Sequence, residues 1–473
     1  MLTLADLVEA LTGKRPAWAT QVVTDAVVDS RQAIPGALFV AMPGEKVDGH
    51  DFVEDAFARG ACFALVERDI PAEIPVLDLR PGAGTNLDAE VPIPCALRVE
   101  NTLQALQQAA RHWRRQMDVR VVGITGSVGK TTTKELTASV LGQRYSTLKN
   151  PGNLNNEIGL PLTLLRLSPG HHRAVLEMGF YVPGEIAFLC DLALPSVGVI
   201  TNIGTVHAER AGSVEAIAQG KAELVEALPP APDGVAVLNY DDPLVRAMAE
   251  KTRARVFFYG LDPRAHLWAD QVEGLGLDGI RFRLHYRNET LYLRVPLIGR
   301  HSVHTALRAA AVGLVEGLSW QEIVSGLRAG HTQLRLVVVR AESGALLLDD
   351  TYNASPQSTL AALNLLAEIE GRRIAVLGDM LELGPYEHEG HWKVGLRAAE
   401  VADVLVTVGP RSRTIAQAAR SAGLPPEHIQ ECEDGDQAVN ILRALLRSGD
   451  VVLVKGSHGM RMDRIVAQLE ALS

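Results

Sequence analysis

The fold turns on Val119–Thr133, VRVVGITGSVGKTTT. The apolar run Val119–Ile124 reads as a short strand of a parallel sheet, because strands covered on both faces carry continuous apolar residues. It breaks into Gly126-Ser127-Val128-Gly129, and Lys130-Thr131-Thr132-Thr133 opens a helix. Backbone N–H groups of such a turn curl around phosphate, and the dipole at the helix start adds attraction for the anion. Lys130 then supplies a point charge for the β- and γ-phosphates, and the Thr131 hydroxyl a ligand for Mg²⁺. The spacing is T-G-x-x-G-K-T, shorter than the G-x-x-x-x-G-K-[ST] loop, whose first glycine would fall on Ile124. An ordinary strand–turn–helix with a surface lysine is the bland alternative. The Thr triplet and the preceding strand favour a nucleotide site made by Thr125, Gly126, Ser127, Val128, Gly129, Lys130 and Thr131.

Working outward, polar residues recur just beyond strand ends, where open α/β sheets place their sites. The strand Ala174–Glu177 ends in a carboxylate that can either hold the Mg²⁺ or be satisfied locally. Val197–Thr201 runs into Asn202 and His207, a histidine either structural or ligating. Asn153, Asn155 and Asn156, beside Gly159 and Pro161, are either turn formers or a substrate-facing loop. Lys221 sits at helical spacing between Ile217 and Leu224. It either snorkels to solvent or, buried near a metal, reacts with CO₂ to give a bridging carbamate. Arg281–Pro296 alternates polar and apolar residues and predicts an antiparallel hairpin turning near Asn288. From about residue 330, strands alternate with helices and end in Asp349-Asp350-Thr351, Gly378-Asp379-Met380, Gly409 and Lys455-Gly456-Ser457. This is the pattern of a doubly wound, Rossmann-like sheet with a ligand-binding rim.

The first segment, to about residue 96, is a small α/β unit. Its Asp29-Ser30-Arg31 stretch can grip a diphosphate or a uracil ring, or be a plain turn. A polar helix over Thr102–Met117 opens the next domain. The expected division is 1–96, 97–329 and 330–473, since 473 residues exceed one ordinary core.

Hydrophobic residues make up 47% of the chain and charged ones 22%, a composition that buries a sizeable core. A net charge of −10 without basic runs argues against nucleic acid. The four cysteines are far apart, with no C-x-x-C, as in reduced thiols of a cytoplasmic protein. The opening MLTLADLVEALTG reads as an amphipathic helix ended by Gly13 rather than a signal peptide. No apolar run reaches the ~20 residues of a membrane span.

Across nearly its whole length the chain resembles the Mur ligases. The matching stretches are DSR…PGALFVAM…G…DGH (29–50), GITGSVGKTTTKE (123–135), NLNNEIGLPLTLL (153–165), LEMG (176–179), TNIGTVHAE (201–209) and GKAEL (220–224), then DDTYNASPQS (349–358), AVLGDMLELG (375–384) and LVKGSHGM (453–460). The resemblance implies three domains: a small N-terminal α/β domain for a UDP-linked precursor, a central P-loop-type ATPase domain with a mainly parallel sheet, and a C-terminal Rossmann-like domain. DDTYNASP and GDMLELG point to the member that joins D-alanyl-D-alanine to UDP-N-acetylmuramoyl-tripeptide through an acyl phosphate. On this reading Lys130 holds the transferring phosphate, and Thr131 and Glu177 ligate a first Mg²⁺. His207 and a carbamylated Lys221 serve a second. Ser30 and Arg31 belong to the uridine-diphosphate site, and Asn155 and Asn156 face substrate. Asp350 reaches the ATP ribose, Arg335 its phosphates, and Thr305 lies at the nucleotide. Asp379, Met380 and Leu383 form the rim for the dipeptide. A cytoplasmic monomer is expected.

The chain departs from the family pattern at Ser302 and Thr305, where asparagines are usual, and at Ala208 and His458. These departures bear on adenine and peripheral contacts, not on phosphate or metal ligands. Two rivals are weighed. One is a sibling ligase adding a single diamino acid, which would carry a different acceptor rim. The other is a non-catalytic ATP-binding regulator, which would not need Lys221.

Overall fold

The computed structural model describes residues 1–44, 47–71, 73–206, 208–329 and 337–471. It is an α/β protein, with three sheets among the described residues. Contacts group the chain into two compact units: Met1–Gly123, Tyr145–Gly179 and Glu185–Val197 form one, and Ile124–Arg144, Phe180–Gly184 and Gly198–Ser473 the other.

In the first unit, five parallel strands run in the order Ala26–Val27, Leu38–Val40, Phe63–Val66, Cys95–Arg98, Val76–Asp78. Phe39, Ala64 and Ala96 pack with Val53 and Ala56 of the helix Val53–Ala58 to form their core. The opening helix, Leu4–Thr12, has a Thr3–Asp6 capping box and ends at Gly13 in the left-handed region, as its sequence predicts.

A nine-stranded sheet is ordered Glu289–Val295, Ile280–Tyr286, Leu267–Gly274, Arg255–Gly260, Val235–Asn239, Val197–Ile200, Arg120–Thr125, Arg173–Glu177, Thr147–Lys149. The hairpin predicted around Asn288 is its antiparallel edge, pairing Tyr286 with Glu289. Arg120–Thr125, the strand that feeds the glycine turn, lies inside the sheet, which is why its residues from Val121 to Thr125 are buried.

The third sheet, in the second unit, is ordered Val337–Arg340, Leu346–Asp350, Asp450–Lys455, Arg372–Gly378, Val404–Val408, Ile429–Cys432, parallel except at its first strand. Alternate residues of each strand enter different cores. Leu348, Leu377, Leu405 and Leu453 pack on one side, and Leu347, Val376, Val406 and Val454 on the other. Burial on both faces is the doubly wound arrangement expected from the strand–helix alternation. All four cysteines are free. Among the described residues no helix is long and apolar enough to cross a membrane.

Candidate active site

The glycine turn is held open from below. Gly126 has φ 145°, and a Cβ there would collide with Thr201 Oγ1. Gly129 takes the left-handed conformation, φ 83°, as the cap of the helix Lys130–Leu141. The segment after Val197–Ile200 braces the loop. Thr201 Oγ1 donates to Val128 O at 2.7 Å, Asn202 Oδ1 accepts from Val128 N at 3.0 Å, and Ser127 N donates to Asn202 O at 2.9 Å. The amides of Ser127 and Val128 are thus engaged by Asn202 within the fold. Gly126→Ala is expected to cost about 2–5 kcal/mol, from a strained φ and an overpacked contact. Denaturant melts compared with Gly152→Ala, where a Cβ meets nothing within 4 Å, would isolate the crowding at Gly126. Equal stability of the two variants would refute it.

The loop opens on a cavity of about 440 Å³ lined by Ser127–Thr132, Asn202, Asp242, His301, Thr305, Arg308, Asp350, Ser355 and Lys455 among others. Three helices present first-turn residues to it: Lys130–Leu141, Val303–Val315 and Pro356–Glu368. Each adds partial positive charge at its start. Lys130 Nζ donates to Gly126 O at 2.9 Å. Lys455, 2% exposed, donates to Asp350 Oδ2 at 2.7 Å and Asn353 O at 2.8 Å. The chamber is built for a polyanion with a polar body.

Lys221, 1% exposed, donates to Gly126 O at 3.1 Å and lies 4.7 Å from the centroid of the Phe180 ring. Burial first, and the Lys130 charge second, push its ammonium well below the usual lysine range. Snorkelling is thereby excluded: the amine is enclosed against the phosphate loop.

Glu177, in the first unit and 1% exposed, ends its strand as predicted. Asn155 Nδ2 donates to Glu177 Oε1 at 2.9 Å, and Asn150 Oδ1 accepts from Glu177 N at 2.9 Å. Asn155 therefore orients a carboxylate, and Asn156 Oδ1 accepts from Gly159 N to start the helix Gly159–Leu165. The amides expected to face substrate are engaged within the fold, because the turn after Lys149 needs its backbone groups satisfied. Ser30 is buried; Arg31 is exposed and doubly bonded to Asp29.

In the segment Asp379–Leu383, expected to form the dipeptide rim, two side chains face the core. Met380 and Leu383 are 1% and 0% exposed and belong to the core of the third sheet. Asp379 Oδ1 accepts from Ser412 N at 2.7 Å, tying two strand-end loops together. Apolar residues after a strand end turn inward when a helix covers them. Leu381 and Glu382 are the partly exposed residues of this segment. Thr125 and Gly126 likewise lie beneath the cavity lining rather than in it. His207 and Arg335 lie outside the described residues.

Arg308 was not assigned from sequence, and Lys455 only as part of the strand-end rim. Lys455 ends a strand, the signal that marked Asp350. Arg308 is the lone acid or base in VHTALRAAAVGLV apart from His304, a cue that helical burial makes meaningful.

The chain matches the Mur ligase family catalytic domain over residues 24–114, the Mur ligase middle domain over 124–313, and the Mur ligase glutamate ligase domain over 334–458. It is 37% identical over 452 residues to a UDP-N-acetylmuramoyl-tripeptide–D-alanyl-D-alanine ligase of Synechocystis sp., covering 95% of this chain and 92% of that one. The chain belongs to the Mur ligase family. Of solved Mur ligase structures, MurF from Acinetobacter baumannii is similar with TM-score 0.83 at 30% identity, over 98% of each chain. MurF ligase from Thermotoga maritima, in complex with ADP, gives TM-score 0.77 at 28% identity, over 94% of this chain and 97% of that one. In this Mur ligase the phosphate loop and Lys221 fall in the middle-domain match, and Asp350 and Lys455 in the glutamate ligase match.

Proposed function

We propose that this Mur ligase joins D-alanyl-D-alanine to UDP-N-acetylmuramoyl-tripeptide at the expense of ATP, completing the pentapeptide precursor of peptidoglycan. The observation that carries the reading is the cavity that joins the phosphate loop to Asp350 and Lys455. It offers one nucleotide both a phosphate cradle and a polar wall, in a chain 37% identical to a ligase of that name. The three-part division at 96 and 329, a cytoplasmic location and a monomeric state belong to the same reading.

A carboxylate is a poor acyl donor. Its oxygen first attacks the γ-phosphorus of ATP, ADP leaves, and an acyl phosphate results. The dipeptide amine then attacks the acyl carbon, the tetrahedral adduct expels phosphate, and the amine proton is lost to solvent. Lys130 and the backbone amides at the start of the helix Lys130–Leu141 hold the phosphate chain and meet the charge that develops on it. Asp350 accepts hydrogen bonds from the ribose, Thr305 lies at the base end, and Arg335 is assigned to the phosphates. Ser30 and Arg31 hold the uridine diphosphate. The dipeptide meets main chain and the Leu381–Glu382 surface rather than the Met380 and Leu383 side chains.

Mg²⁺ suits the donors present. It is bound by one or two carboxylates with hydroxyls, waters and substrate phosphate, not by an all-protein cage. Among the described residues no group of three His, Cys, Asp or Glu could form such a cage. On the family resemblance, Thr131 and Glu177 would serve a first ion, and His207 and a carbamylated Lys221 a second. Bound there, Mg²⁺ supplies charge neutralisation at the phosphoryl group.

The test is phosphate release from ATP with UDP-N-acetylmuramoyl-tripeptide, with and without D-alanyl-D-alanine, and the product mass. Release that needs both substrates and yields the UDP-pentapeptide is expected. Turnover only with a single amino acid and a shorter precursor would make the chain a sibling ligase. Tight ATP binding without turnover would make it a regulator.

A further inference from the structure

Arg308 lies in the middle of the apolar helix Val303–Val315 and is 4% exposed. Its Nη2 donates to Thr305 Oγ1 at 2.8 Å, while Nε and Nη1 are buried without an acceptor. Tyr259, itself fully buried, lies beside it, with the guanidinium carbon 5.9 Å from the ring centroid. No carboxylate pairs with it among the described residues. A guanidinium does not give up its proton in a protein, so the site holds a net positive charge with two unpartnered nitrogens. Burying such a charge unpaired is costly and is retained where something else supplies the counter-charge.

The position of the group indicates what that is. Arg308 lines the same cavity as Lys130 and Thr131, and its Nη2 lies 3.4 Å from where a Cβ on Gly129 would be. The guanidinium is therefore packed directly against the cap of the phosphate-loop helix. Lys455, the cavity's other buried cation, already has Asp350.

The geometry points to Arg308 as a positioning residue of the nucleotide site, whose buried charge is matched by the phosphate chain of the bound nucleotide and which fixes Gly129 against that chain. The inference rests on ATP as the cavity's ligand. The free protein is destabilised by the unmatched charge, and the nucleotide relieves it. Binding and free-state stability thus respond to Arg308 with opposite signs, which a purely structural arginine would not produce.

Arg308→Met keeps the length and apolar stem and removes the charge. The expected result is a melting temperature without nucleotide equal to or above wild type. The Kd for ADP, by calorimetry, is expected to weaken about 10- to 100-fold, the value of one or two charge-assisted contacts. The dependence of Kd on salt is expected to become shallower. A lower melting temperature with unchanged ADP affinity would make Arg308 a core residue only and overturn the inference. Should Arg308→Met not fold, Arg308→Lys decides, since it keeps the charge and loses the planar fork. ADP affinity reduced severalfold supports the role, and affinity equal to wild type removes it. Wild-type protein that binds no ADP would instead sink the nucleotide reading itself.

Discussion

Lys130→Met is expected to lower turnover by about 10³-fold or more while leaving the melting temperature close to wild type. The ammonium donates to Gly126 O at 2.9 Å and to Ser127 O at 3.4 Å, carbonyls of its own loop. Those contacts hold the side chain folded back over the turn, and Thr201, Asn202 and Gly204 hold the turn independently. The fold thus loses little. The reaction loses a positive charge where a phosphoryl group develops negative charge, and Lys221 does not replace it, because that amine is enclosed beneath the loop and its burial disfavours the charged form. Single-turnover phosphate release reads the chemical step directly. A variant retaining more than a tenth of wild-type turnover would show that Lys130 braces the loop and does little else.

What the sequence conveyed about this site follows from how local each signal is. The strand, glycine turn and helix of Val119–Leu141 are specified by neighbours in the chain, so their structure was legible residue by residue. The strand-end rule placed Glu177 and Asp350 at the carboxyl ends of their strands, where the structure has them, because parallel strands put those ends on one side of a sheet. It did not show that the Met380 and Leu383 side chains are buried, because a motif's order does not reveal which of its side chains a covering helix will bury. The packed helix Glu387–Val401 supplies part of that cover: His391 Nε2 accepts from Met380 N at 3.0 Å, and Val394 joins the same core. Asn155 and Asn156 were legible as turn formers and illegible as partners, since Asn155 meets a carboxylate 22 positions away. Arg308 was hidden for a related reason. Only tertiary packing decides whether a lone arginine in an alanine-rich helix reaches water, and here Tyr259 and Gly129 close over it.

Lys221→Ala is expected to lower turnover by about 10²- to 10³-fold, the range for removing one metal-directed or oxyanion-directed group. Wild-type turnover is expected to fall in CO₂-depleted buffer and recover with bicarbonate. The lone pair of the neutral amine attacks the carbon of CO₂, one N–H proton leaves, and a carbamate with one negative charge forms. Enclosure favours this in two ways: burial lowers the ammonium pKa, and Lys130 beside it repels a second cation and attracts an anion. The sign of the pH effect follows. Because the folded pKa lies below 10.5, the unfolded chain binds more protons between the folded value and 10.5. Free-protein stability from this group is therefore full above 10.5 and is lost as pH falls through the folded pKa. Lys221→Met should flatten that part of the profile. Carbon-13 bicarbonate should give a carbamate resonance in wild type that is absent from the variant. Turnover indifferent to bicarbonate, together with near-normal activity of Lys221→Ala, would leave Lys221 as a buried brace beneath Gly126 and remove the second-ion assignment with it.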